Sequence, residues 1–204
     1  MQQNTMGDKN VAVGNYALNV NTAGHQNVAV GYNALDSVTD GDNNTAVGYD
    51  AGDTTTTGNN NTSIGYNAEP SSTTVSNEIT LGNTSNDNLR CNDTSISSLS
   101  DRRDKTDIVD LPAGLDFINT LQPRRFKWET RDGNIKDGKI RAGFIAQELQ
   151  SAQEDYKYLD LVMENNPERL EAKQEHLVPV LVNAVKELSA ENNALKARLD
   201  AAGL

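Results

Sequence analysis

Glycine recurs every 17 residues through the first 82 positions of this chain. Gly14, Gly31, Gly48, Gly65 and Gly82 form one lattice, and Gly7, Gly24, Gly41 and Gly58 form a second. The units read NVAVGNYAL at 10–18, NVAVGYNAL at 27–35, NTAVGYDAG at 44–52 and NTSIGYNAE at 61–69, and EITLG continues the lattice at 78–82. A period held without insertion over this length admits few folds, because each unit must be one repeat of a stacked β architecture. Each Val-Ala-Val or Thr-Ala-Val triplet alternates across a pleat, so Val11 and Val13 share one face and Ala12 takes the other. The glycine permits a sharp turn or a close backbone approach. Asn, Asp and Thr fill the spacers, where their side chains satisfy turn backbone. Tyr32, Tyr49 and Tyr66 follow their glycines directly, whereas the first unit places Asn15 before Tyr16.

Such units are poor in bulk. Only 5% of the 204 residues are aromatic, and a lone chain of this kind has little apolar surface to set against its conformational entropy. Three chains wound about an axis would bury the small Val and Ala side chains together. The expectation is therefore a trimeric β-roll or prism rather than a monomeric globule. Register begins almost at Met1, as expected for the end of a longer fibre. Residues 1–99 carry 2 Lys+Arg against 10 Asp+Glu, so nucleic acid and anionic membrane are unsuitable partners for this half. No stretch approaches the length of a membrane span, no signal peptide opens the chain, and Cys91 is the only cysteine, so no intrachain disulfide forms.

The composition changes near residue 100. Three segments follow: a fibre repeat at 1–83, a polar Ser/Asn-rich linker at 84–99, and a mixed α+β domain at 100–204. In that domain the spacing predicts a helix from Pro112 to Leu121 and a strand over Arg125–Trp128. Turn signals at Asp132-Gly133 and Asp137-Gly138 suggest a hairpin, a second helix starts within Phe144–Leu149, and short strands lie near Leu161-Val162 and Leu170–Ala172. Val178, Leu181, Val185, Leu188, Asn192, Leu195 and Leu199 alternate by three and four, a heptad with Asn192 at an a position, where a buried amide fixes register and oligomer number. Pro179 is tolerable only in a first turn, so the helix starts a few residues before it. Three heptads are too few to hold a coiled coil alone but enough to help assemble a trimer; a single amphipathic helix packed on its own domain is the other reading.

The segment Ser100-Asp101-Arg102-Arg103-Asp104-Lys105-Thr106-Asp107-Ile108 sits at the boundary. A serine hydroxyl is a poor nucleophile and needs a neighbouring base. A lysine serves only as a neutral amine, which burial or adjacent positive charge favours. Arg102 and Arg103 supply such charge, while Asp101, Asp104 and Asp107 oppose it. A spacing of five does not align two side chains on a regular helix, so a turn must bring them together. The bland alternative is Ser100 capping a turn, with Lys105 in solvent.

The repeat units resemble the head repeats of trimeric bacterial adhesins and of phage tail fibres. The second half resembles the C-terminal intramolecular chaperone domain of phage endosialidases and tail fibres, a self-cleaving domain also found in myelin regulatory factor. The matching residues are SDRRDKTDI at 100–108, LQPRRFKWE at 121–129, GFIAQEL at 143–149 and HLVPVLVNAVKEL at 176–188. The resemblance implies autocatalytic cleavage of the Leu99-Ser100 bond, with Ser100 as nucleophile, Lys105 as base, and Asp101 and Arg103 as motif residues supporting the pair. Attack within one chain and attack from a neighbour both remain open. It further implies a homotrimer, the upstream fibre segment as folding client, and a virion tail fibre assembled in the bacterial host cytoplasm that meets a host receptor, glycan or protein. The rival is a non-cleaving adhesin tip with a permanent C-terminal trimerisation cap.

Other candidates are weaker. His25 and His176 have no metal-ligand companions at useful spacing and are read as structural. Asp36, Asp40 and Asp42 lack a full calcium-loop pattern and are read as turn residues. The tyrosines suit either packing or a carbohydrate-facing ladder. With no phosphate loop and no Cys/His cluster, neither cofactor nor metal is expected, and nothing marks a site for an external substrate.

Overall fold

The computed structural model describes residues 3–86, 88–92, 96–129 and 138–203. The chain divides into two compact units, one built mainly on Met1–Arg90 and the other on Cys91–Trp128, Gly138–Glu164 and Leu170–Leu204.

In the first unit each 17-residue repeat is one rung of a coil. The rungs contribute strands β1 (Val11–Val13), β2 (Val28–Val30), β3 (Thr45–Val47), β4 (Thr62–Ile64) and β5 (Ile79–Leu81). They pair in sequence order as one parallel sheet, with Val11, Val28, Thr45, Thr62 and Ile79 in register. The alternation expected from the triplets is present, with alanine as its inner face. Ala29 and Ala46 are fully buried, and Ala17, Leu18, Ala34, Leu35, Val38 and Ala51 complete the core. Val11, Val13, Val47, Ile64, Ile79 and Leu81 point outward and are exposed. One chain thus closes its own small core, so burying Ala and Val together between three chains is not needed to form the coil. Alanine fits the narrow interior, and polar ladders supply cohesion that apolar bulk does not.

Those ladders also change the reading of the spacers, whose side chains bond between rungs and not only within turns. Asn27 N–H donates to Asn10 Oδ1, Asn44 N–H to Asn27 Oδ1, Asn61 N–H to Asn44 Oδ1 and Glu78 N–H to Asn61 Oδ1, at 2.8–3.0 Å. The amide nitrogen of each of these asparagines donates to a carbonyl 14 residues on, Gly24, Gly41, Gly58 or Val75. Thr5, Thr22, Thr39 and Thr56 each donate a hydroxyl proton to the threonine carbonyl 17 residues later. The glycine lattice reflects close approach: a Cβ on Gly31 would collide with the Gly48 carbonyl oxygen, and its φ of 144° is unfavourable for other residues.

The second unit buries Ala113, Phe117, Leu149, Leu159, Leu161, Val162, Leu177 and Val180 together. Its elements are α1 (Leu115–Thr120), β6 (Arg124–Lys127), β7 (Ile140–Gly143), α2 (Ala146–Ala152), β8 (Val162–Met163), β9 (Glu171–Ala172) and α3 (Leu177–Ala202). β6 and β7 pair antiparallel, as do β8 and β9. The turn at Asp132-Gly133 and Asp137 lies outside the described residues, and Gly138 has a φ of 70°. Arg124 Nη2 donates to Glu148 Oε1 at 2.6 Å and ties β6 to α2. The first helix is shorter than Pro112 to Leu121, because Leu111–Gly114 is held as a strap by side chains of α3 rather than wound into the helix. α3 begins at Leu177, which leaves Pro179 in its first turn.

Helix α3 has two distinct faces. Leu177, Val180 and Ala184 are buried against the domain. The heptad residues Val178, Leu181, Val185, Leu188, Leu195 and Leu199 face elsewhere and are 46–65% exposed. From Ser189 onward every described residue of the helix is exposed, Asn192 included.

Candidate functional site

Asp101 caps a short 3-10 turn over Arg102–Asp104: its Oδ1 accepts from the Arg103 N–H at 2.8 Å. The Arg103 guanidinium folds back, Nη2 donating to Asp101 Oδ2 at 2.6 Å, and this hydrogen bond holds the Asp101 carboxyl below its usual range. The turn closes when the Lys105 N–H donates to the Arg102 carbonyl at 3.2 Å. Its consequence is that Lys105 Nζ donates to Ser100 Oγ at 2.6 Å. One turn, pinned by Asp101 and Arg103, therefore bridges a five-residue spacing that a helix would keep apart. That separation is within the reach that a proton transfer between the two atoms requires.

The surroundings are open water. Leu99 is fully exposed, and residues 99–110 are exposed throughout. Among the described residues of one chain nothing covers the pair. Asp107, with φ of 52°, turns the chain near the end of the motif.

The sequence did not single out the side chains that take over where this exposed stretch ends. Asn183 Nδ2 donates to the Leu111 carbonyl at 2.9 Å and the Ala113 carbonyl at 3.0 Å. Glu187 Oε2 accepts from the Leu115 N–H, the first of α1, at 2.6 Å. Gly114 offers no capping side chain, and a Cβ there would collide with the Glu187 carboxylate, so glycine makes the seat this carboxylate occupies. Asn183 and Glu187 sit four apart on a helix, a spacing equally usual for solvated pairs, so nothing in the sequence distinguishes them.

The other candidates have local partners. His25 Nδ1 lies 2.6 Å from Asp8 Oδ1 on the preceding rung, His176 Nδ1 is 2.9 Å from the Asp160 carbonyl, and Asp42 Oδ1 accepts from the His25 N–H. Among the described residues no group of three or more His, Cys, Asp or Glu is placed to hold a metal ion. Likewise no described helix is long and apolar enough to cross a membrane. The tyrosines stack on one another, Tyr32 on Tyr49 with ring centroids 5.0 Å apart and Tyr49 on Tyr66 at 5.6 Å. Only Tyr49 has a stacked ring on both sides, and all four tyrosines from Tyr16 to Tyr66 remain partly exposed.

Residues 100–158 match the model of the peptidase family described as the chaperone of endosialidase. The match starts at Ser100 and takes in the turn, Lys105, α1, the β6–β7 hairpin and α2, so the second half of the chain carries an endosialidase-chaperone-type domain. No curated protein and no solved structure matches the chain.

Proposed function

We propose that the chain is the distal part of a trimeric phage tail fibre whose C-terminal domain brings three copies together, guides the fibre into register, and then cuts itself off at Leu99-Ser100. The observation that carries this reading is the 2.6 Å contact between Lys105 Nζ and Ser100 Oγ, at the start of a chaperone-type domain and directly downstream of fibre repeats. Two exposed apolar surfaces support association of copies. One is the heptad face of α3. Completing the burial of six half-exposed aliphatic side chains is worth on the order of 5 kcal/mol per chain. The last 14 residues of α3, all exposed, form a length that is marginal as an isolated helix and gains from partners. The other surface is the outward Val, Ile and Leu face of the coil.

The chemistry runs through this chain's own residues. Lys105 takes the Ser100 hydroxyl proton, and Oγ attacks the Leu99 carbonyl. The Leu99–Ser100 C–N bond breaks as the ester forms, and the proton passes to the freed Ser100 amine. Water then hydrolyses the ester, leaving a Leu99 carboxylate and a free Ser100 N-terminus. A neighbouring chain's serine performs the same steps if attack is between copies. Packing of copies over the exposed pair supplies the missing desolvation and so times the cut after assembly. Non-local pairing between chains is slow and prone to slip, and a fibre that has lost its folding aid persists by its unfolding barrier. The place of action is the virion tail, after assembly in the bacterial host cytoplasm, with a glycan or protein on the host surface as receptor.

A second reading follows from the same exposure of the pair: a permanent trimerisation cap that never cuts. Leu188→Asp separates the two when size and cleavage are followed together. Leu188 is 54% exposed in one chain, so the folded monomer loses on the order of 1 kcal/mol. Loss of both trimer and cut is expected. A variant that stays monomeric yet cuts at the wild-type rate would refute assembly-gated cleavage, and an assembled wild type that remains whole would leave the cap.

A further inference from the structure

We propose that Asn183 and Glu187 are positioning residues that couple helix α3 to the cleavage motif, an inference that rests on the cleavage reading above. The heptad starts at Val178, so Asn183 and Glu187 occupy its f and c positions, on the side of the helix away from the a and d residues. The side that recruits other copies and the side that grips the strap belong to one helix. Whatever fixes α3 in an assembly fixes Leu111–Leu115 with it.

The grip is specific to backbone. Asn183 spends both amide protons on the Leu111 and Ala113 carbonyls, and Glu187 receives the Leu115 N–H. The two side chains also meet, Asn183 Nδ2 lying 3.4 Å from Glu187 Oε1. Among the described residues these are the side-chain bonds made to the backbone of residues 106–115. Upstream the chain runs exposed through Thr106–Asp110 to Lys105. Six residues reach at most about 20 Å when extended, so the anchor at Leu111 keeps Lys105 within that distance of the strap. Without the anchor the leash lengthens, and the pair samples positions at which no neighbouring copy covers it.

The test uses the full-length chain and two readouts. The rate of cutting is measured on isolated trimers, and amide exchange at Leu115 is measured in a Ser100→Ala background that stays whole. Asn183→Ala and Glu187→Ala are expected to slow cutting about tenfold or more, the loss of one or two hydrogen bonds to a charged or amide partner. Trimer content should remain unchanged, and Glu187→Ala should speed Leu115 exchange by a similar factor. Glu187→Gln keeps an acceptor for the Leu115 N–H and should restore both. The proposal is overturned if the alanine variants cut at the wild-type rate, if cutting falls only in proportion to lost trimer, or if Leu115 exchange does not respond to Glu187→Ala. A wild type that assembles but stays whole refutes the cleavage reading and the coupling with it, while the exchange arm still reports whether the grip itself exists.

Discussion

The buried asparagine ladder makes a quantitative demand on the coil, and Asn44 is its best test. The residue is fully buried on the third rung. Its Oδ1 accepts the Asn61 N–H at 3.0 Å, and its Nδ2 donates to the Gly58 carbonyl at 2.8 Å. Asn44→Ala removes both at once and leaves a buried N–H and a buried carbonyl unpaired. Each such group costs about 1–3 kcal/mol, so the loss should be about 2–6 kcal/mol. Asn44→Asp keeps the acceptor, but it faces the Gly58 carbonyl with an oxygen and buries a charge, so it should be no milder than alanine. The exposed Thr57→Ala serves as control and should change stability by less than about 0.5 kcal/mol. Urea unfolding in the Ser100→Ala background, followed by exchange protection of the Ala29, Ala46 and Ser63 amides, reads the coil separately from the second unit. An Asn44→Ala loss of under about 1 kcal/mol would refute the claim that interior amides hold the rungs, since that is no more than an ordinary hydrogen bond's net worth.

Two other consequences are open to measurement. Tyr16 has a φ of 61°, the slot that Asn33, Asp50 and Asn67 fill on later rungs, and it meets Tyr32 edge-on at 89° rather than stacked. Exchanging the pair, Asn15→Tyr with Tyr16→Asn, should extend the ring stack and relieve a left-handed conformation that costs a bulky residue about 1–2 kcal/mol; a lower melting temperature would contradict this. Burial pushes the Glu69 carboxyl up from 4.5 to about 7, and burial also raises Asp53 beside it. A carboxyl raised on folding binds its proton more tightly in the folded state. Its contribution is therefore largest at low pH and is lost as pH climbs from about 4.5 through about 7. Melting temperature should fall across that window, and Glu69→Gln should flatten the fall; an unchanged slope in the variant would rule Glu69 out as its source.

Much of this was legible in the sequence because it depends on spacing alone. A 17-residue period forces in-register rungs, and alternation within a triplet forces two faces. Which face goes inside was not legible, since it depends on the width of the coil: Ala12, Ala29 and Ala46 fit there and the flanking valines do not. The transposed Asn15-Tyr16 was visible, but its effect on the ring stack needed the backbone angle. In the second unit, hydrophobic spacing located the helices and strands to within a few residues, and Pro179 located the start of α3. The heptad was legible as a pattern, and the structure adds that its residues are left exposed by their own domain. Ser100 and Lys105 were found as residue types at a boundary, whereas the Asp101–Arg103 turn that joins them depends on local dihedral angles. Asn183 and Glu187 left no mark in the sequence, because polar residues four apart on a helix look the same whether they hold a strap or face water.

The most direct test of the account is the intact mass of the purified wild-type chain under denaturing conditions, beside Ser100→Ala and Lys105→Ala. Two fragments, one ending at Leu99 and one starting at Ser100, are expected in the wild type alone, with both variants full-length and still assembled. A wild type that forms its trimer and remains a single full-length mass, or fragments that persist when Ser100 is alanine, would contradict cleavage by this pair.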